Sequence, residues 1–182
     1  RSQEELKLFK YERYIRKCAE SAGRFHGLVG AHASFTLENE TLQAIDDLSR
    51  SLNRGVHIHV AEDKCDQEHS ERKHDLFLTD RLDKFDLLRP GMLFAHCIHL
   101  NKSNYQRLCE AGVSVAHNPR SNMNNAVGYA PVGYMACPIQ LGTDGIGADM
   151  FTEAKTAWFK SRDGKAGISP DDVMAMLANG AR

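Results

Sequence analysis

The chain has 182 residues, of which 42% are hydrophobic and 26% are charged, a balance typical of one globular domain. Its formal net charge of −1 gives no electrostatic reason to expect nucleic acid or an anionic membrane as a partner. No apolar run approaches the roughly 20 residues that span a bilayer. The five cysteines are scattered without a Cys-x-x-Cys pair, which argues against a zinc knuckle and favours a reducing cytoplasm.

The predicted elements alternate between helix and strand. Helices are predicted where apolar residues recur every three to four positions, and strands where short apolar or β-branched runs stand between turn residues. In chain order these are a helix at 1–22, a strand at 28–35, a helix at 42–52, a strand at 56–61, a helix at 76–88, a strand at 92–96, a helix at 103–111, a strand at 113–117, a strand at 139–143 and a helix at 154–159.

Three further features complete this first description. Residues 63–73 are a polar stretch, and residues 118–134 have no clear period, which predicts a long loop with at most a short helix. Ser169 followed by Pro170 predicts the start of a last helix, because serine caps a helix and proline suits its first turn. The chain begins at Arg1 without a methionine and stops at Arg182 just after a helical run, so we expect a piece of a longer chain.

Strands that alternate with helices predict parallel pairing, which both a doubly wound sheet and a (β/α)8 barrel would satisfy. In a barrel, functional groups gather at the carboxyl ends of many strands. Here every predicted strand ends at or near a group that can do chemistry, namely His32, His59, His96, His117 and Asp144. No Gly-rich phosphate loop follows the first strand, as a doubly wound sheet would more often show. We therefore predict an α/β fold, a partial (β/α)8 TIM barrel of about five βα units.

The densest group of such residues follows the second strand. His57 and His59 share one face of that strand because side chains alternate, and Glu62 lies just past its end. A neutral imidazole is a good ligand for zinc or iron, and a nearby carboxylate can move protons in the same cavity. Asp144, between Gly142 and Gly145, could bind a metal or accept a proton. Each of these residues alone fits a structural role better, whereas five strand ends together favour a functional site.

These residues occur within motifs that appear in a fixed order along the chain. The motifs are His59-Val60-Ala61-Glu62, Ala95-His96-Cys97, His117-Asn118-Pro119-Arg120-Ser121-Asn122 and Gly142-Thr143-Asp144-Gly145. Together they resemble the last strands of the amidohydrolase superfamily, in the branch of guanine deaminase, adenosylhomocysteine deaminase and the triazine hydrolases. The similarity to the SsnA-type aminohydrolases is the strongest, through residues 120–125 and 141–151, and it covers nearly the whole chain.

The resemblance implies a role for each residue at the strand ends. His59 would be a metal ligand on the fifth barrel strand, and Asp144 a ligand and base on the eighth. Glu62 would carry protons, and His96 would stabilise developing charge. His32, His117, Ser121 and Asn122 would contact the substrate, and His57 would be a supporting wall residue. The expected cofactor is one divalent metal ion, zinc or iron.

The chain also departs from the family pattern. The superfamily uses a His-x-His pair on its first strand, and the pair His57-Ile58-His59 does not replace it, because two βα units precede it. Residues 1–182 are therefore expected to be strands four to eight, the C-terminal part of a metal-dependent hydrolase barrel. With two ligands at most, the isolated chain would bind metal weakly or not at all and be inactive. The lysine that two-metal relatives carry on strand four is absent, since His32 and Ser34 stand there, which favours a single-metal site.

The resulting functional prediction is hydrolytic deamination of a nitrogen heterocycle by metal-activated water. Two alternatives stay open at this point. One is a chlorohydrolase or cyclic-amide hydrolase on the same scaffold, and the other is a catalytically silent barrel used for assembly or regulation. The expected partners are a small-molecule substrate and, through open sheet edges, further copies of the chain, in the cytoplasm and without nucleic acid or membrane.

Overall fold

The computed structural model describes residues 12–21, 25–164 and 167–180. The first eleven residues of the predicted N-terminal helix lie outside this part, and residues 12–19 are helical. The strands are β1 (Val29–Ala33), β2 (Val56–Val60), β3 (Leu93–His96), β4 (Ser114–His117) and β5 (Ile139–Leu141). The helices are α1 (Asn39–Leu52), α2 (Lys64–His74), α3 (Leu78–Lys84), α4 (Lys102–Glu110), α5 (Pro119–Asn124), α6 (Met150–Ser161) and α7 (Pro170–Asn179). Short 3-10 turns occupy Ser34–Thr36 and Val132–Tyr134.

The five strands form one parallel sheet in the order β1-β2-β3-β4-β5. Each strand pairs with its neighbour in sequence, whereas a doubly wound sheet reverses its order at a switch point. The sequential order is that of consecutive strands in a (β/α)8 barrel. The predicted α/β architecture of about five strand-helix units, part of such a barrel, is therefore confirmed.

The two faces of the sheet differ in polarity, as β2 shows most clearly. Val56, Ile58 and Val60 are fully buried, while His57 is exposed and His59 is partly buried. The apolar face packs against the surrounding helices, to which α1 contributes the buried Leu42 and Ile45. Because residues alternate along a strand, this packing directs both histidines of β2 to the opposite, polar face.

The polar stretch at residues 63–73 forms helix α2, which the sequence pattern did not predict. The side chain of Asp63 caps this helix by accepting a hydrogen bond from the Cys65 backbone N–H. The buried residues of α2 are Asp66 and Ser70, both polar, so hydrophobic periodicity carries no signal there. The helix predicted over 76–88 is shorter than expected and ends at Lys84.

The C-terminal helix begins where the sequence predicts. Ser169 caps α7 by accepting from the Asp172 N–H, and the Asp172 side chain accepts in return from the Ser169 backbone N–H. The long loop at 118–134 contains α5 and a 3-10 turn. In the described part of the chain, no helix is long and apolar enough to cross a membrane. The predicted self-association stays a prediction.

A buried arginine joins α3 to the loop after β1. Arg81 is fully buried and donates hydrogen bonds to the backbone oxygens of Ser34 at 2.9 Å and Leu37 at 2.6 Å, and to Asn39 Oδ1 at 3.1 Å. The Ser34 hydroxyl in turn donates to Asp66, whose pKa is raised by burial. The fully buried guanidinium therefore links α3 to three oxygen acceptors in the segment that follows β1.

We expect Arg81→Met to lower the free energy of unfolding by roughly 3 kcal/mol, because it removes the three hydrogen bonds that a fully buried guanidinium makes. Urea denaturation of the full-length gene product measures this change. Arg72→Met, at an exposed position on α2, is the matched control and should change the value by less than about 0.5 kcal/mol. A loss below about 1 kcal/mol for Arg81→Met would show that the network contributes little.

Candidate active site

Two adjacent strands bring two histidines and a carboxylate together at their carboxyl ends. His59 lies in β2 and His96 ends β3, and the register pairs Val60 with His96. Glu62 follows β2, and its Oε2 lies 3.8 Å from His59 Nδ1 and 3.5 Å from His96 Nε2. One ligand atom from each of the three residues lies within 4.8 Å of the other two. The spacing along the chain predicts that His59 and Glu62 lie close together, and the parallel pairing of β2 with β3 brings His96 beside them.

The three residues fit a divalent metal ion by their chemistry. His96 Nε2 is buried and has no hydrogen-bond partner, so it presents an unused polar atom to the group. Burial, followed by the neighbouring His96, lowers the pKa of His59, which keeps this ring in the neutral form that binds metals. Two imidazoles with a carboxylate are a common donor set for zinc and for non-haem iron.

Asp144 reaches the same space from the loop after β5. Its Oδ2 accepts a hydrogen bond from the Ser121 hydroxyl at 2.5 Å, and this bond is the main cause of its lowered pKa. Electrostatic interactions with His96, the Gly145 backbone and His59 lower that pKa further. Asp144 is not one of the three residues within 4.8 Å, so its predicted role as a ligand beside His59 stays a prediction.

The backbone is strained where these side chains leave the strands. Ala61 has a φ of 50°, His96 of 71°, Cys97 of 50° and Asp144 of 51°, all in the left-handed region that non-glycine residues rarely occupy. The backbone of Ala61 is held on both sides, since its N–H donates to Asp66 Oδ2 at 2.8 Å and its oxygen accepts from two N–H groups that follow β3. Such strain persists only when surrounding structure imposes it, and it is concentrated at functional sites.

Two more histidines extend the polar face along the first two strands. The ring centroid of His32 lies 5.5 Å from that of His59, which lies 5.1 Å from that of His96. His32 is fixed by a hydrogen bond between its Nδ1 and Thr36 Oγ1 at 3.0 Å. His57 shares this face, and desolvation by the surrounding protein, followed by the nearby His59 and His96, lowers the pKa of its solvent-accessible ring. The predicted contact of His32 with substrate and the predicted supporting role of His57 stay predictions.

The loop after β4 contributes residues at two depths. Ser121 contacts Asp144, and the Asn125 side-chain N–H donates to Glu62 Oε1 at 3.3 Å, a contact that the sequence did not single out. Asn122 and His117 are fully buried behind this surface. Asn122 Oδ1 lies 2.8 Å from His96 Nδ1, and the His117 ring packs edge-on against Tyr129. Their predicted contact with substrate stays a prediction, and both side chains are fully buried.

Arg120 and Glu153 form a second buried brace that the sequence did not indicate. Glu153 is fully buried in the first turn of α6 and accepts from both the Arg120 backbone N–H and its guanidinium. The guanidinium also donates to the Gly147 backbone oxygen at 2.6 Å. This pair therefore ties α5 to the loop that carries Asp144. An acid in a first helical turn is common, so Glu153 gave no distinctive signal.

The chain belongs to the amidohydrolase family, whose sequence profile matches residues 1–182. It is similar to the 5'-deoxyadenosine deaminase of Methanopyrus kandleri, with 33% identity over 182 residues that cover 96% of this chain and 42% of that protein. It is also similar to the 5-methylthioadenosine/S-adenosylhomocysteine deaminase of Halothermothrix orenii, with 32% identity over 171 residues that cover 88% of this chain and 40% of that protein.

Among solved structures, the chain resembles guanine deaminase from C. acetobutylicum with bound guanine, at a TM-score of 0.87 and 23% identity. The match covers 99% of this chain and 47% of that one, and at this identity it shows the fold alone. The chain thus spans less than half the length of these relatives. The resemblance recognised from the four motifs is confirmed.

Burial of His117 predicts a loss of stability in mild acid. Burial, followed by the neighbouring His96, lowers the pKa of His117 from 6.5 to about 3. Between these two pH values the ring is protonated in the unfolded state and neutral in the folded state. The contribution of His117 to the free energy of unfolding is therefore constant above pH 6.5. Below pH 6.5 it falls by about 1.4 kcal/mol per pH unit, down to pH 3. We expect His117→Gln to remove this slope, which urea denaturation at pH 7.5 and pH 5 measures.

The difference between the wild-type protein and His117→Gln should change by about 2 kcal/mol between those two pH values. His26→Gln, which replaces an exposed histidine, is the control and should keep the wild-type slope. An unchanged slope in His117→Gln would show that His117 is not held neutral in the folded protein.

Proposed function

We propose that this chain carries part of the active site of a metal-dependent hydrolase that deaminates a nitrogen heterocycle of the adenosine type. The observation that carries the proposal is the convergence of His59, Glu62 and His96 at the ends of adjacent strands. Membership of the amidohydrolase family supports the hydrolytic chemistry, and the deaminases among its relatives support the substrate class.

Glu62 is the proposed proton carrier. Asn125 holds Oε1 at 3.3 Å, while Oε2 faces both histidines and the side chain keeps 26% of its exposure. A carboxylate held in this way can take a proton from water and deliver it to a ring nitrogen of the substrate. The partial exposure matters, because a proton carrier has to reach both the site and the substrate.

Asp144 is the proposed base and charge partner. The Ser121 hydroxyl fixes its Oδ2, and the lowered pKa keeps the group ionised at neutral pH. Its second oxygen is then available to hold a cation or to accept a proton from water. His59 and Asp144 would be ligands of the divalent ion, zinc or iron, and His96 would stabilise developing charge beside them. The ion would act as a Lewis acid that lowers the pKa of water toward about 7.

The substrate class is tested with the full-length gene product supplied with zinc. Release of ammonia from 5'-deoxyadenosine, S-adenosylhomocysteine and guanine would be followed with an enzyme-coupled assay. We expect turnover of at least one adenosine-type substrate. Release of chloride from a chlorinated triazine without release of ammonia from any purine would contradict the proposal and favour a chlorohydrolase.

Replacing Glu62 by Gln separates proton transfer from metal binding. We expect kcat to fall by a factor of about 100 or more, because the amide cannot exchange the proton, while zinc affinity changes by less than about tenfold. Kinetics and competition with a chelator measure the two quantities. Glu68→Gln, on the exposed surface of α2, is the control and should match the wild-type protein. A large loss of zinc affinity would instead make Glu62 a ligand.

Replacing Asp144 by Asn tests the base. The amide has nearly the same shape but no negative charge, so we expect turnover to fall far more than tenfold, by a factor of about 1,000. Asp163→Asn, at an exposed position after α6, provides the comparison. Turnover within about tenfold of the wild-type value would exclude the proposed role of Asp144.

A further inference from the structure

The two carboxylates of the proposed reaction follow strands that are not paired with each other. Glu62 follows β2 and Asp144 follows β5, and β3 and β4 lie between these strands in the sheet. No ladder of hydrogen bonds joins β2 to β5 directly, so the relative position of the two side chains also depends on contacts above the sheet. The segment after β4 supplies such a contact through Asn125.

The side-chain amide of Asn125 donates hydrogen bonds in two directions. Its Nδ2 lies 3.3 Å from Glu62 Oε1 and 3.5 Å from Ser121 Oγ. The Ser121 hydroxyl in turn donates to Asp144 Oδ2 at 2.5 Å. An amide nitrogen carries two hydrogens, so one group can serve both acceptors. A continuous line of hydrogen bonds therefore joins one carboxylate to the other.

The direction of each bond follows from the chemistry of the groups. An ionised carboxylate only accepts, so Asn125 has to present its NH2 group to Glu62 rather than its oxygen. The Ser121 hydroxyl donates its one hydrogen to Asp144, which leaves its oxygen to accept from Asn125. The Asn125 oxygen has a donor of its own, the side-chain amide of Asn124 at 3.1 Å. A flipped Asn125 amide would lose these bonds and set an oxygen against a carboxylate.

The backbone places Asn125 where it can make both contacts. Asn125 directly follows α5, and its N–H donates to the Ser121 oxygen at 2.9 Å. The start of this helix is anchored, because the Arg120 N–H donates to the fully buried Glu153 at 2.9 Å. Asn125 itself is exposed, so loss of its amide leaves no buried donor without a partner. The effect of this amide therefore falls on the geometry of the site more than on stability.

We propose that Asn125 is a positioning residue that links Glu62 to the Ser121–Asp144 pair and so holds the two carboxylates at a fixed relative position. This role rests on the proposed function, since it supposes that both carboxylates take part in turnover. A displacement of about 1 Å in such a group can lower a rate by about 100-fold. Catalytic hydrogen bonds are often long before substrate binds, which agrees with the 3.3 and 3.5 Å of the two Asn125 bonds.

Nuclear magnetic resonance of the full-length gene product, labelled with 15N in its asparagine side chains, tests the two contacts without any substrate. Asn125→Leu assigns the side-chain signals by removing them. We expect Glu62→Ala and Ser121→Ala each to shift the signal of one Asn125 amide hydrogen, because each removes one acceptor. Asp163→Ala, which removes an exposed carboxylate after α6, is the control and should leave both hydrogens unchanged. Failure of either Glu62→Ala or Ser121→Ala to shift an Asn125 signal would overturn the inference.

Kinetics of the zinc-supplied protein, on whichever substrate it turns over, test the consequence. We expect Asn125→Leu to lower kcat by about 10- to 100-fold and to change KM by less than about threefold, because the amide positions the carboxylates and not the substrate. Asn125→Gln keeps the two hydrogens, and we expect its kcat to exceed that of Asn125→Leu by about threefold or more. Gln106→Leu removes an exposed amide that donates to Glu110 at 2.8 Å on α4, and this matched control should behave as the wild-type protein.

Circular dichroism and the urea midpoint check that each variant is folded. A kcat of Asn125→Leu within about threefold of the wild-type value would overturn the inference. A rise in KM with kcat unchanged would also overturn it, because Asn125 would then be a substrate contact, and so would a kcat of Asn125→Gln no higher than that of Asn125→Leu. If the amide signals respond as expected but no purine is deaminated, the proposed function fails and the link between the two carboxylates stands.

Discussion

Parallel pairing of five strands in sequential order is the constraint on which the rest of the structure depends. It brings every carboxyl end to one edge of the sheet, so residues far apart in sequence become neighbours at the strand ends. The register of β2 with β3 sets Val60 beside His96, and that of β4 with β5 sets His117 beside Leu141. A shift by one residue would turn His59 toward the apolar core and remove it from the site.

The site rests on buried polar groups, which are costly unless they are paired. Two arginines pair such groups, one near the first strand of the sheet and one near the last. Arg81 donates to backbone oxygens of the loop after β1, and Arg120 binds Glu153 and the loop after β5. Both arginines donate to backbone oxygens of irregular segments that follow strands, and so fix those segments.

The unpartnered atoms are as informative as the paired ones. In the described part of the chain, His96 Nε2, both ring nitrogens of His117 and Asn122 Nδ2 are buried without hydrogen-bond partners, as are His69 Nδ1, His74 Nε2 and Asp86 Oδ2 elsewhere. His96 links the three residues of the first group. It contacts Asn122 directly, and it interacts electrostatically with His117. Buried polar groups normally find a partner, so this group close to His96 supports the proposal of a functional site there.

The sequence by itself determined the alternation of strands and helices, the capped start of α7 and the family, because these depend on periodicity and on short motifs. It also predicted a site at His59, Glu62, His96 and Asp144, since each stands at or just after a predicted strand end. Only the tertiary structure decided that α2 is a helix, because its buried residues are polar and leave no hydrophobic period. Only the tertiary structure showed that Asn122 contacts His96 and that His117 is buried. The burial and direction of a side chain depend on which elements pack beside it in space, and spacing along the chain does not encode that packing.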